Sequence, residues 1–205
     1  MKKIPPGPKT IILNGIAVGE VMSTGNMDRD AEVVRQYLKD KGIYKETSLF
    51  QAMFNQAVAF ANTSAYLYER DLKRSPRKGF SAAPFAVNAT FSIELYIKAL
   101  AEKHGAKLRG HELLKLHSGL PKAALQEIDA AVPICAPKRA LAEAPDFLRY
   151  LSELNNAFVE WRYSYELEKT RAIHIESIIF VMEVLHEACR QRADASRSKG
   201  ASTLE

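Results

Sequence analysis

Between residues 47 and 103, apolar side chains recur at three- and four-residue steps, and the pattern breaks once, at Ser75-Pro76-Arg77-Lys78-Gly79. That period is the turn of an α-helix and cannot be laid on a strand, whose side chains alternate between faces. The spacing predicts two long helices. The first covers about 47–73, with Thr47 or Ser48 as N-cap and Leu49, Met53, Ala57, Ser64 and Leu72 turned inward. The second covers about 82–103 and stops at Gly105; Phe85, Ala89, Ile93, Tyr96, Ile97 and Leu100 give it the broad apolar face of a central core helix.

Shorter elements follow from local chemistry. Asp28-Arg29-Asp30 opens a helix to about residue 41, its acids facing the positive end of the helix dipole and Gly42 closing it. Residues 112–117 read as one or two turns, and Pro121 starts a helix to about 131. Residues 132–144, with Pro133 and Pro137, read as a loop. Pro145-Asp146 begins a helix to about 159 carrying Phe147, Leu151, Leu154 and Phe158, residues 161–168 form an aromatic-rich link or a continuation of it, and a last helix spans about 170–191. Residues 1–28 read as irregular, with the apolar run at 11–19 as a short strand or packing arm. Its glycines make no phosphate-binding loop. With no strand alternation of any length and no internal repeat, the chain reads as all-α: a bundle of four to five helices (46–192) after an irregular N-terminal arm and short helix (1–45), and before a polar tail (193–205).

Composition narrows the setting. A hydrophobic share of 47% over 205 residues supports one sizeable core. No stretch of about 18 apolar residues exists to cross a membrane, and Met-Lys-Lys is followed by Ile-Pro-Pro-Gly-Pro rather than a signal-peptide core, so the expected location is the cytoplasm. Cys135 and Cys189 make neither a metal-ligand pair nor a disulfide framework and read as core or surface thiols of a reducing compartment. The net charge of +5 suits a polyanionic partner, and the cations cluster in two places: Arg70, Lys73, Arg74, Arg77 and Lys78, then Lys98, Lys103, Lys107, Arg109 and Lys115.

No motif of a common enzyme chemistry occurs, and the five histidines show no metal-binding spacing. His174 and His186, twelve apart, lie more than three turns from each other on the last helix and read as partly buried residues. What remains is a constellation: Glu94, Lys98, His111, Arg162 and Tyr163. Histidine exchanges protons near neutral pH and arginine binds and stabilises a phosphodiester, so these residue types suit RNA cleavage, with Tyr163 and Trp161 able to stack bases and Arg109 and Lys115 to contact phosphates. The plainer alternatives are that Glu94 and Lys98, four apart, make a weak surface ion pair, and that Arg162 pairs with a glutamate to lock helix packing.

Three blocks carry a resemblance: Phe85-Ala-Val-Asn-Ala-Thr-Phe-Ser-Ile-Glu94-Leu-Tyr-Ile-Lys98, Gly110-His111-Glu112-Leu113-Leu114-Lys115-Leu116, and Asn156-Ala-Phe158-Val-Glu-Trp-Arg162-Tyr163-Ser-Tyr-Glu166. In this order they resemble a HEPN domain over about residues 45–190. The resemblance implies a dimeric bundle of four or five helices. Its relatives include metal-independent endoribonucleases of toxin–antitoxin and abortive-infection systems, non-catalytic binding modules, and partners of nucleotidyltransferases. It implies RNA, an antitoxin or a nucleotidyltransferase as partners, no cofactor or metal, and a site in a cleft between two subunits. Active relatives carry Arg, four to six residues, then His near the last helix; Arg171-Ala-Ile-His174 is too short and no other pair fits. Activity in this chain would pair Arg162 with His111, with Glu94 and Lys98 beside them. Without it, the resemblance implies a nucleotide- or protein-binding dimer.

Overall fold

The computed structural model describes residues 5–13, 15–138, 146–155, 161 and 174–201. Its contacts divide the chain into two compact units, Met1–Thr47 and Ser48–Glu205.

The first unit departs from the irregular arm expected of it. Strands β1 (Gly7–Leu13) and β2 (Ile16–Ser23) form an antiparallel hairpin. Gly15, at the connection, takes φ 81°. The Asn14-Gly15 dipeptide is a hairpin signal in its own right, but the polar–apolar alternation around it is too poor to reveal the strands. A bulge falls where Ile11 faces Gly19 and Ile12 faces Ala17. Helix α1 (Met27–Asp40) starts as the sequence predicts; the Asn26 side chain accepts from the Asp28 and Arg29 amides. Tyr37 of α1 donates through Oη to the carbonyl of Val18, the extra residue of the bulge, at 3.3 Å.

The second unit is helical. Helix α2 (Leu49–Leu67) is capped by Ser48 Oγ, which accepts from the Gln51 amide at 3.2 Å. It gives way to a single π-helical turn, Tyr68–Leu72, rather than running on as an α-helix to residue 73. Helix α3 (Ala82–Lys103) follows, and it is buried around most of its circumference, as a helix at the middle of a bundle must be. Small residues let α2 and α3 approach closely, and two hydroxyls join the backbones: Ser92 Oγ donates to the Ala57 carbonyl at 2.9 Å, and Ser64 Oγ to that of Phe85 at 3.4 Å.

Helices α4 (Leu113–Ser118), α5 (Lys122–Cys135), α6 (Phe147–Glu153) and α7 (Ile175–Ala201) complete the described bundle. The first part of the loop expected at 132–144 is helical instead: α5 continues through Pro133 to Cys135 and a 3-10 turn follows over Ala136–Lys138, while residues 139–145 lie outside the described set. Proline removes one backbone donor and crowds the preceding turn, yet Ile128, Ala131 and Cys135 are buried and hold the last turn in place. Helix α6 ends at Glu153, short of the expected 159; residues 156–160 lie outside the described set. Helix α7 is described from Ile175, and its backbone stays helical to Ala201, into the segment read as a polar tail. That segment, Arg192-Ala-Asp-Ala-Ser-Arg, consists mostly of adequate helix formers. Ile178, Val181, Met182, Leu185, Ala188 and Cys189 bury one stripe of α7, while Phe180 and Val184 fill a second. His174 precedes this helix and is exposed, not partly buried as expected; His186 is half-buried.

Candidate functional site

Glu94 lies in the middle of α3 and is 2% exposed. A carboxylate there is costly unless it is paired, and it has two partners. Lys98, one turn on, places Nζ 2.6 Å from Oε1. His111 places Nδ1 3.1 Å from both Oε1 and Oε2. The pair is therefore no weak surface contact: the acid is sealed in the bundle and its partners approach from the solvent side.

His111 arrives by way of the loop after α3. Gly105 ends the helix with φ 77°, and Gly110 turns the chain at φ 95° immediately before the histidine, a conformation that favours glycine. Leu113 and Leu116 then anchor α4 in the core. The Leu114 amide donates to Asn155 Oδ1 at 2.9 Å, tying α4 to the end of α6. The His111 side chain remains 69% exposed. Facing a carboxylate, Nδ1 is the donor, and in the neutral form of the ring this places the lone pair on Nε2, on the far side. A buried carboxylate that fixes tautomer and orientation, with the other ring nitrogen free to exchange a proton, is the arrangement general acid–base chemistry uses.

Two other polar clusters contrast with this one. At the C-terminal end of α3, Lys103 is 7% exposed; its Nζ donates to Glu127 Oε2 at 2.9 Å and to the carbonyls of Ala188 and Cys189 at 3.2 and 3.3 Å. His104 Nε2 is 3.2 Å from the same carboxylate. These groups cross-link α3, α5 and α7 and are largely turned away from solvent. Between α2, α3 and α7 lies a cavity of about 400 Å³, with Phe85, Ile179 and Met182 on its apolar wall and Tyr68, Tyr96 and His186 on its polar one. Tyr96 Oη and His186 Nδ1 are 3.0 Å apart. Burial holds the His186 imidazole below its ordinary value, helped by nearby Arg190, and pushes the Tyr96 hydroxyl well above its own. The charged residues lining the cavity are Glu69, Glu183 and Glu187, with no lysine or arginine among the lining; Lys73 pairs with Glu69 and Arg190 with Glu187, so its wall offers no cation to a phosphodiester.

The structure thus brings together Glu94, Lys98 and His111. Arg109 is exposed on the loop two residues before His111. Lys115 is exposed one turn beyond and pairs with Glu112 at 2.7 Å. Trp161 is half-buried and packs on the core. Arg162 and Tyr163 lie outside the described residues. Among the described residues no group of three or more His, Cys, Asp and Glu is placed to hold a metal ion, and no helix is long and apolar enough to cross a membrane.

One cluster escaped the sequence reading. Asp71, on the π turn, is 2% exposed and gathers the whole 70–81 segment. Ser81 Oγ donates to Oδ2 at 2.6 Å, Arg70 Nε to Oδ1 at 2.9 Å, and Lys78 Nζ lies 3.2 Å from Oδ1. The Arg70 guanidinium, with Ser81 and Lys78, holds the Asp71 carboxyl far below the usual range. An acid alone among five cations was the signal.

A family model of the HEPN domain matches residues 50–192, a span that includes Glu94, Lys98 and His111. No curated protein matches the chain, and no solved structure does.

Proposed function

This chain belongs to the HEPN domain family, and we propose that it is an RNA-directed member whose working group is His111. The observation that carries this reading is the exposed imidazole held through Nδ1 by a buried carboxylate. In cleavage, His111 Nε2 takes the proton from a ribose 2′-hydroxyl, and the 2′-oxygen attacks the adjacent phosphorus. The bond to the 5′-oxygen breaks to leave a 2′,3′-cyclic phosphate, while the Lys98 ammonium supplies the proton that the 5′-oxygen needs. Arg162 takes the role of the cation over the phosphorane. Asn155 bonds α6 to α4 beside the His111 loop, and Arg162 follows seven residues later in the chain, which supports this pairing. Tyr163 and Trp161 are assigned to base contacts, Arg109 and Lys115 to phosphates. A homodimer in the cytoplasm, in a defence or toxin–antitoxin setting with an antitoxin or nucleotidyltransferase partner, is the context this family membership favours.

The second reading is a non-catalytic dimeric module that binds a nucleotide or protein at the same place, and the missing Arg-x4–6-His spacing favours it. Incubating the purified protein with RNA in EDTA separates the two. Cleavage that yields cyclic phosphate ends and is lost in both Arg162→Ala and His111→Ala supports the enzyme. Binding without cleavage supports the module, and cleavage that survives both substitutions sinks the proposed site.

A further inference from the structure

Phe80 is completely exposed, the extreme among the large apolar residues described. It sits on the short 3-10 turn Gly79–Ser81 that leads into α3. A single exposed ring on a surface is unremarkable by itself, but the backbone on both sides of this one is held firmly. On its C-terminal side Ser81 Oγ is bonded to the buried Asp71 carboxylate at 2.6 Å; on its N-terminal side the Lys78 amide donates to the Asp71 carbonyl at 2.9 Å. The Ser81 amide closes the turn on the Lys78 carbonyl at 3.0 Å. The backbone that carries the ring is therefore held in place by neighbours that bury nothing of the ring itself.

The segment that leads to it is cationic. Residues 69–78 hold Arg70, Lys73, Arg74, Arg77 and Lys78 against Glu69 and Asp71. Lys73 pairs with Glu69 at 2.9 Å, and Arg70 and Lys78 pair with Asp71. Arg74 and Arg77 are exposed, and no ion pair involves either among the described residues. A second aromatic extends the surface. The Arg70 guanidinium stacks 4.8 Å from the centre of the Tyr66 ring and donates to its hydroxyl at 3.2 Å, while Tyr66 remains 60% exposed.

We propose that the Tyr66–Phe80 face, with Arg74 and Arg77, is a docking surface for single-stranded RNA, separate from the His111 site, in which a base stacks on Phe80 and the two arginines hold the flanking phosphates. This rests on the RNA-directed reading above. Any base can stack on an exposed ring, and the ordered backbone beneath it leaves only the side-chain torsions to be fixed on binding. Arg74 and Arg77, six and three residues before it in the chain and without an ion pair among the described residues, supply the phosphate contacts. A membrane surface suits the pattern less well: one bare phenyl ring, with Tyr66 partly covered by Arg70, offers too little apolar area to anchor a protein in lipid.

The test is fluorescence anisotropy with a labelled oligouridylate of roughly 12 nucleotides, within the range of site sizes such surfaces occupy. Phe80→Ala should weaken binding about tenfold, and Phe80→Trp should restore it. Arg74→Ala/Arg77→Ala should flatten the salt dependence, by ~0.7 in log–log slope for each phosphate no longer neutralised. Since Phe80 touches nothing in the fold, its variants should melt with the wild type. Equal affinity of Phe80→Ala and wild type overturns the proposal, as does ring-dependent sedimentation with phosphatidylserine vesicles alongside ring-independent RNA binding. If the protein cleaves RNA at His111 but Phe80→Ala binds unchanged, only the docking surface fails. If RNA depends on Phe80 but is never cut, the docking surface stands and the catalytic reading falls. No binding of RNA by the wild type overturns both.

Discussion

Replacing Glu94 by glutamine preserves the shape of the side chain and one acceptor oxygen, but removes the charge that Lys98 and His111 share. The carboxylate is 2% exposed, so it cannot be exchanged for a water-solvated partner. Breaking a buried ion pair by deleting one member costs about 3–5 kcal/mol when the remaining charge stays buried. Here the orphaned cation has an escape. The Lys98 side chain is 18% exposed, and its flexible stem can carry the ammonium to water. The expected loss is therefore nearer that of one hydrogen bond to a charged group, about 2–3 kcal/mol. His111→Ala perturbs the same cluster differently. The ring is 69% exposed and Glu94 keeps Lys98 at 2.6 Å, so its loss should cost less than about 1 kcal/mol of stability. Urea unfolding followed by circular dichroism, with the slopes of the transitions compared to check that the exposed area is unchanged, measures both variants. The predicted signature is a divergence. Glu94→Gln is clearly destabilised and His111→Ala nearly normal, while both lose RNA cleavage. Equal stability of the two variants would refute the idea that Glu94 is a buried, doubly paired support for an exposed working group.

Burial depresses the imidazoles of His117 and His186 below their ordinary value of 6.5, His186 with added repulsion from Arg190. A lowered native value means that the unfolded chain binds protons first on acidification. Stability is then full above pH 6.5 and is lost as pH falls through the native values, and a urea midpoint that rises from pH 7 to 5 contradicts this. Gly19→Ala places a methyl 1.8 Å from Tyr37 Oη, at a φ of +155°, so Tyr37 must leave Val18 and the hairpin should lose about 1–3 kcal/mol; faster amide exchange in β2 reads this out, and unchanged protection contradicts it. Cys135 and Cys189 are 2% and 0% exposed, and burial pushes the Cys189 thiol up to about 12. Ellman's reagent should find neither thiol in the native protein and both in urea; prompt labelling of Cys189 without denaturant disproves the packing around it.

The bundle could be read from the chain because its largest signal is redundant. The apolar period of α2 and α3 repeats over many turns, and their ends carry their own marks: Ser48 as cap, Gly105 as stop. Where the reading missed, a weak local signal met a stronger tertiary one. Pro133 argued for a loop, but the buried Ile128, Ala131 and Cys135 keep α5 helical beyond it. The hairpin escaped because β1 and β2 have little alternation, so that the Asn14-Gly15 turn stood without strands to join. Glu94 and Lys98 were visible as a pair from their four-residue spacing, but nothing in spacing tells a surface pair from a buried one. That distinction needs the packing of α3 and the return of the chain at Gly110, which brings His111 back across seventeen positions. Asp71 was hidden for the same reason: its importance lies in Ser81, ten residues away.

The basic excess seen in the sequence also changes meaning once partners are assigned. In the second cationic stretch Lys98 is paired with Glu94, Lys103 with Glu127 and Lys115 with Glu112, so three of its five cations are neutralised within the fold. Lys107 and Arg109 remain, both exposed, without an ion pair among the described residues. They lie on the loop that delivers His111, which concentrates the uncompensated charge of this stretch beside the proposed working group. A polyanion drawn to that charge is brought to the imidazole, whereas the cavity between α2, α3 and α7 has no lysine or arginine in its lining to attract it. Arg109→Ala should therefore weaken RNA binding in a salt-dependent way, lowering the log–log slope by ~0.7 if it holds one phosphate. It should leave the unfolding midpoint where it was, since no partner loses a charge. Lys115→Ala frees Glu112 beside the same path and should weaken binding more at low salt than the loss of one cation alone predicts. An Arg109→Ala protein with the wild-type salt slope would show that the phosphates pass elsewhere, and with them the reason to place the chemistry at His111.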